Sequence, residues 1–245
     1  MVQAHEENVV KFMNRVLVIM PAYNEAASIE GVISAVKKEL PDADILVVND
    51  GSTDATSQIA RGLGVMVADL PYNMGIGAAM QAGYRYAAMH SYDIAVQVDA
   101  DGQHPPDQIN NLVAPVMEQK ADMVIGSRFL GEGEYYPSFA RHLGMKIFAF
   151  VVSVMTGRKI TDTTSGFRAA NKGVIRFFAD NYPEDYPEVE AVLLLNKAGF
   201  NIIEVPVRME ARAGGVSSIT PLRSLYYMVK VLLSVFVDML KKVER

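Results

Sequence analysis

Apolar positions in the first 130 residues fall into two patterns that alternate along the chain. Short β-type runs at Val16–Met20, Asp44–Val48, Val65–Ala68, Ile94–Val98 and Met123–Gly126 predict strands. Helical spacing over Ile29–Leu40, Thr53–Arg61, Ile76–Met89 and Pro106–Glu118 predicts helices between them. Such alternation indicates βαβ units and a mainly parallel, α/β sheet flanked by helices. Ligands of these sheets bind beyond the carboxyl ends of the strands. The polar clusters Pro21–Glu25, Asn49–Asp54, Asn73–Gly77, Asp99–Gln103 and Ser127–Arg128 all follow a predicted strand. Five polar loops on one sheet edge predict a site. After Gly131 the pattern changes. Phe139–Thr156 is apolar with basic residues at its start, residues 161–168 form a polar loop, Glu188–Ala198 reads as helix and Asn201–Val207 as strand. Arg212–Ser218 is a Gly/Ser-rich loop, and Ile219–Val243 reads as one amphipathic helix. With no repeat and no linker, the expectation is a single domain over residues 1–218 and a C-terminal helical extension over 219–245.

Composition narrows the function classes. The chain has 245 residues, half of them hydrophobic, and a net charge of −5. The acidic balance argues against a nucleic-acid partner. The absence of cysteine excludes thiol nucleophiles, disulfides and Cys-ligated zinc, and it fits a reducing cytoplasm. Met1–Lys11 is polar and does not read as a secretory signal. The apolar runs Ile147–Met155 and Val231–Val237 fall well short of the ~20 residues a spanning helix needs. Apolar helices with basic borders suit a membrane surface with anionic lipids, and a dimer interface or a membrane-protein partner would explain the same pattern.

The candidate chemistry centres on Asp99-Ala-Asp-Gly-Gln103. If the strand continues, alternation puts Asp99 and Asp101 on one side of the backbone, with the neutral oxygen of Gln103 beside them. Hard divalent cations such as Mg²⁺ take such oxygens and bridge a substrate phosphate. The competing reading is an ordinary turn. His104 adjoins the run, but Pro105 and Pro106 follow it, which argues against a metal role. Pro21-Ala22-Tyr23-Asn24-Glu25 has no glycine, unlike a phosphate-gripping loop, and suits a base and ribose. There Ser28 is expected to cap the following helix while Glu25 faces ligand. Ser52 or Thr53 is expected to cap the next helix, and Asp50 sits early enough to meet a nucleoside. Gly75 and Gly77 read as close packing at a helix start. Arg128 is either a buried structural arginine paired with an aspartate or a bidentate phosphate clamp.

In this order, VIMPAYNEAASI, LVVNDGSTDAT, NMGIGAAMQAG, VQVDADGQHPP, VIGSRF, DTTSGFRA and EVPVRMEARAGGVSS resemble glycosyltransferase family 2, the inverting GT-A enzymes. DADGQHPP and the SGFR loop carry a narrower resemblance to the polyprenyl-phosphate sugar transferases. The resemblance implies a GT-A, Rossmann-like fold and a UDP- or GDP-linked sugar donor. Pro21, Ala22, Tyr23, Glu25, Asp50, Asp99 and Arg212 would hold that donor. Asp99, Asp101 and Gln103 would hold Mg²⁺ or Mn²⁺. Arg128, Arg141, Ser165 and Arg168 would meet an acceptor phosphate, and Asp101, Arg128 and Glu190 would be the catalytic set. Ser218 stands where the family's donor-closing loop has lysine, which weakens the expectation of closure. The enzyme would sit peripherally on the cytoplasmic face of the membrane.

A polyprenyl phosphate is already anionic and requires no general base. A sugar hydroxyl on a growing glycan, the alternative acceptor, requires a carboxylate to take its proton. Glu188 and Glu190 lie near the family's base position but do not reproduce its Glu-Asp pair, which favours the phosphate. A nucleotidyltransferase would need a glycine-rich, basic loop after the first strand. A non-catalytic scaffold would leave three oxygens together without a cation.

Overall fold

The computed structural model describes residues 14–131, 139–184 and 187–210, with side chains omitted for 139–143. Among the described residues seven strands form one sheet: β1 (Val16–Ala22), β2 (Asp44–Asn49), β3 (Met66–Asp69), β4 (Ile94–Gln97), β5 (Met123–Ser127), β6 (Arg168–Asn171) and β7 (Ile202–Pro206), in the order β3-β2-β1-β4-β6-β5-β7. Only β6 runs against its neighbours; it pairs antiparallel with β4 and β5. The seven residues of β1 are all buried, as a central strand covered on both faces requires. Alternation sorts them. Leu17 and Ile19 enter one core with side chains of α3 (Ile76–Met89), α5 (Phe139–Thr156), α6 (Lys172–Asn181) and α7 (Pro187–Lys197). Val16, Val18 and Met20 enter the other with α1 (Ile29–Glu39), α2 (Thr56–Gly62) and α4 (Ile109–Met117). The molecule is a three-layer α/β/α sandwich with a mostly parallel sheet, as expected.

Three expectations need correction. The strand predicted over Ile94–Val98 ends one residue earlier, at Gln97, with the Val98 N–H still donating to Ile19 O at 3.1 Å. Pro21 is tolerated in central β1 for the same reason: β4 pairs with β1 only as far as Ile19↔Gln97, so no β4 residue lies opposite the missing N–H. Second, α2 begins at Thr56, because residues 52–54 instead stitch the loops after β1 and β2 together. Asn24 N–H donates to Ser52 Oγ, Thr53 N–H to Asn24 Oδ1 and Ala26 N–H to Asp54 Oδ2. The expected Ser52 or Thr53 cap is absent, and Asp54 Oδ1 accepts the Thr56 N–H. Third, Ser28 does not cap α1; its hydroxyl donates to Glu25 Oε2 at 2.8 Å.

The helix predicted over Pro106–Glu118 opens with a 3₁₀ turn at Pro106–Gln108. Strand β6 and helix α6 were not anticipated. Asn171 ends the strand and caps the helix, its side chain accepting the Val174 N–H at 3.0 Å. Residues 211–245, with the predicted C-terminal helix and the 218/219 boundary, lie outside the described residues.

Candidate active site

The carboxyl edge of the sheet collects the predicted loops. After Gln97 the chain leaves β4 and folds into a turn through Asp99–Gln103, with Gly102 at φ +80°. The side chains of Asp99 and Asp101 are therefore set by turn geometry, not by strand alternation. Asp101 is buried, and its Oδ1 accepts the Gln103 N–H at 3.0 Å. Asp99 is partly exposed, and its Oδ1 receives the Gln97 amide at 3.3 Å. His104 is buried, stacks on Phe167 at 4.9 Å and accepts the Asp99 N–H through Nδ1 at 3.0 Å.

The loop leading into β6 presses against this turn. A side chain on Gly166 would place its Cβ 2.8 Å from Gln97 Nε2 and 3.4 Å from Asp99 Oδ2. Across β4 and β6, Gln97 is in register with Arg168. The antiparallel strand thus delivers the Thr161–Arg168 loop onto the Asp99 carboxylate. Glu204 on β7 fixes the loop's start, accepting the amides of Thr161 and Asp162 at 2.8 and 2.7 Å. Burial raises the Glu204 pKa above its ordinary value; these bonds oppose the shift and the neighbouring Asp162 charge adds to it.

The two arginines differ in their partners. Arg128 is buried and forks onto Asp162, Nε to Oδ2 at 2.7 Å and Nη2 to Oδ1 at 2.6 Å, with a further bond to Thr164 Oγ1. Of the two readings for Arg128, this geometry is the buried ion pair. Arg168 donates instead to three carbonyls, those of Ser165, Thr163 and Glu188. Ser165 is buried and its Oγ accepts the Phe167 N–H at 3.3 Å. Thr163 Oγ1, also buried, has no hydrogen-bond partner among the described residues.

Glu188 opens α7 within electrostatic reach of this group. Burial raises its pKa, Arg168 opposes the rise, Asp99 adds to it and Arg128 counters it weakly. Glu190, expected in the catalytic set, is buried on α7, and two residues before it the charge of Glu188 is coupled to Arg168, Asp99 and Arg128.

The nucleoside candidates lie across the edge. Pro21 and Ala22 end β1, both buried, while Tyr23 is exposed and Glu25 half-buried. Both Asp50 oxygens accept backbone amides, of Met74 at 2.7 Å and Gly75 at 2.9 Å, so Asp50 fastens the loop before α3. Gly51 has φ +69°, and a Cβ there would lie 2.5 Å from the Tyr72 carbonyl carbon. Gly77 matches its expected packing role: a Cβ would stand 2.5 Å from the carbonyl oxygens of Pro183 and Glu184.

Beyond β7 the backbone follows the acidic turn, with Arg208 N–H donating to Gln108 Oε1 and Glu210 N–H to Gln103 O. Arg212, two residues further along, lies outside the described residues, as does the side chain of Arg141 on α5. The residues present suit a hard cation. Asp99 and Asp101 supply carboxylate oxygens at the carboxyl edge of the sheet, and no three His, Cys, Asp or Glu side chains form a closed cage among the described residues. A cation here would complete its shell from a ligand's phosphates and water, as Mg²⁺ commonly does.

A three-layer sandwich with an acidic turn at the carboxyl edge and one antiparallel strand carrying a basic loop is the GT-A architecture of sugar-transferring enzymes. The model of glycosyl transferase family 2 matches residues 17–178, and the chain belongs to that family: it is a glycosyltransferase. It is 32% identical to an undecaprenyl-phosphate mannosyltransferase of Micrococcus luteus, over 84% of this chain and 88% of that protein. It is 30% identical to a UDP-N-acetylglucosamine–dolichyl-phosphate N-acetylglucosaminyltransferase of Methanococcus voltae, over 79% of this chain and 84% of that protein. Among solved structures, glucosyl-3-phosphoglycerate synthase of Mycobacterium tuberculosis, in complex with Mn²⁺, UDP and glucosyl-3-phosphoglycerate, superposes with a TM-score of 0.70. That match has 21% identity and covers 92% of this chain and 79% of the other.

Proposed function

We propose that this protein moves a sugar from a nucleotide-sugar donor to a polyprenyl phosphate with inversion at the anomeric carbon. The observation that carries the reading is the contact between the Asp99–Gln103 turn and the Thr161–Arg168 loop. It brings carboxylates for a cation–diphosphate next to an arginine-bearing loop for an anionic acceptor. The relatives named for polyprenyl-phosphate acceptors support the acceptor class. They differ in the sugar they carry, so the reading covers the acceptor and leaves the sugar open.

In this reading Pro21, Ala22, Tyr23 and Glu25 face the nucleoside, and Asp50 holds the Met74–Gly75 backbone beside it. Asp99, Asp101 and Gln103 hold Mg²⁺ or Mn²⁺. The cation supplies charge neutralisation for the departing nucleoside diphosphate. Arg168 and Ser165 orient the acceptor phosphate, and Arg128 shapes the same loop through Asp162. A phosphate oxygen attacks without surrendering a proton, because a phosphate monoester's second pKa lies near 6.

The acceptor's lipid places the enzyme at a membrane surface. No helix among the described residues is long and apolar enough to cross a membrane. Helix α5 buries Met145, Phe148 and Val152, yet exposes Ile147, Phe150 and Val154, the last two at 70% and 66%. The exposed side chains recur at helical spacing on one stripe. Lys146, Arg158 and Lys159 border it, exposed, and the helix carries no acidic residue. An apolar stripe with cationic borders suits an anionic leaflet. The 219–245 segment is read as a second such element, attached to a catalytic domain over 1–218.

A second reading, transfer to a glycan hydroxyl, is favoured by one observation. Glu188 is a carboxylate of raised pKa coupled to Asp99, the kind of group a hydroxyl acceptor needs as base. The test is a panel of UDP- and GDP-sugars with Mg²⁺ or Mn²⁺, with short-chain polyprenyl phosphate or an oligosaccharide as acceptor. A lipid-linked sugar that disappears with Asp101→Asn supports the leading reading. Transfer to the oligosaccharide alone replaces it with the second.

A further inference from the structure

We propose that His104 is a positioning residue for Asp99, held in one tautomer so that a single imidazole addresses both the backbone and the carboxylate of that aspartate. The inference rests on the reading of Asp99 as a ligand of the donor's cation. His104 is 3% exposed, and its ring lies parallel to Phe167 within 10°. Pro105, at φ −65°, follows it and restricts His104 to extended backbone. Nδ1 accepts the Asp99 N–H at 3.0 Å, so its lone pair is engaged and the ring hydrogen of the neutral imidazole belongs on Nε2. Nε2 stands 3.6 Å from Asp99 Oδ2, beyond hydrogen-bond length and within electrostatic reach. Gln97 meets the other oxygen, Oδ1, at 3.3 Å. Each oxygen of Asp99 therefore has a protein group beside it, while the side chain keeps 34% of its surface exposed for a ligand.

This arrangement also removes His104 from the ligand set itself. One nitrogen is spent on the Asp99 amide and the other faces the Asp99 carboxylate. The imidazole acts as the outer group that orients a ligating carboxylate, a position whose loss commonly weakens metal affinity 10–100-fold, as an order of magnitude. The ring stack ties this group to the Thr161–Arg168 loop through Phe167, so the acceptor loop and the cation turn share one support.

The experiment measures Mn²⁺ affinity from the free-ion EPR signal, in the presence of UDP or GDP, for four proteins. His104→Phe keeps the ring stack and deletes the acceptor. His104→Asn places an amide oxygen where Nδ1 stands, and His104→Gln places one where Nε2 stands. We expect His104→Phe and His104→Gln to lose roughly tenfold or more in Mn²⁺ affinity. His104→Asn should return most of it, and nucleotide affinity in EDTA should be unchanged in all four. Equal affinities for His104→Asn and His104→Gln would overturn the proposal, and that comparison stands even if the Phe variant does not fold. Wild-type affinity in His104→Phe would also overturn it. Failure of the wild-type protein to bind Mn²⁺ with either diphosphate would instead remove the metal reading on which the proposal rests.

Discussion

Replacing Asp162 with alanine tests how the Thr161–Arg168 loop is held. The Asp162 side chain is fully buried and forms two short bonds to the Arg128 guanidinium, while Oδ2 also accepts the Arg128 N–H at 3.1 Å. The substitution leaves a buried guanidinium with its counter-charge gone. Breaking one side of a buried pair costs about 3–5 kcal/mol. For a chain of this size a kcal/mol lowers the melting temperature by roughly 2–4 °C, so the expected fall is about 6–20 °C. Urea unfolding followed by circular dichroism gives the free energy directly. The double variant Arg128→Met with Asp162→Leu removes both charges and should regain at least half of the loss, since apolar replacement of a buried pair is often neutral or stabilising. A pH series adds an independent check through Glu204, whose folded pKa is raised first by burial and further by the Asp162 charge. A carboxyl with a raised folded pKa holds more protons in the native state, so its contribution to stability declines as pH climbs from the unfolded to the folded value. Without Asp162 that interval narrows. A loss under about 1 kcal/mol, or a double variant no more stable than the single, would refute this account of the loop.

Three further outcomes can be measured. Gly51→Ala forces a side chain at φ +69° into the Tyr72 backbone and should cost about 1–3 kcal/mol in urea unfolding while weakening UDP or GDP binding, because Asp50 loses its grip on the Met74–Gly75 amides. Unchanged nucleotide affinity would separate that loop from the donor site. Phe150→Glu with Val154→Glu alters exposed positions and should leave the melting temperature within about 2 °C. Partition to anionic vesicles should fall at least tenfold, given the roughly 1.5–3 kcal/mol that burying a large apolar side chain contributes; equal partition would remove α5 from the membrane contact. Glu188→Gln abolishes a carboxyl whose folded pKa is raised, so the variant should gain stability relative to the wild type as pH rises above the ordinary glutamate range. A variant that loses ground there would mean the ionised carboxylate is favourably held.

The parallel part of the fold was legible because each strand is a continuous apolar run and each helix an amphipathic one. The pattern fails where the chain does something shorter. Strand β6 is Arg168-Ala-Ala-Asn171, four residues with a charge at one end and no β-branched side chain, so nothing in its composition distinguishes it from a loop. Its existence depends on the gap between β4 and β5, a tertiary fact. Helix α6 left a readable signal: an asparagine cap and apolar residues at 174, 175, 177 and 178 on one face. At the site, the acidic turn, Arg128 and the SGFR loop could be named from sequence. What could not be read was which charges cancel, because Asp162 follows Arg128 by 34 residues and its partnership is made by the loop's packing.

That partnership redistributes the roles of the two arginines. Arg128 has a carboxylate on its fork, so the pair presents little net charge to an incoming anion. Arg168 hydrogen-bonds only carbonyl oxygens, and no carboxylate lies within ion-pair distance of it among the described residues. Carbonyl dipoles hold a cation in place without cancelling it. In the proposed reading, Arg168, itself buried, supplies a positive charge beneath the loop that Glu188 and Asp99 temper, while Arg128 and Asp162 fix the loop's shape. Protonation of Glu188 would weaken that tempering and leave the loop more attractive to a phosphate. A hydroxyl acceptor draws nothing from this charge and needs the opposite state, an ionised Glu188. The protonation of one glutamate thus divides the two acceptor chemistries. Transfer to polyprenyl phosphate should survive in Glu188→Gln, and transfer to a sugar hydroxyl should not.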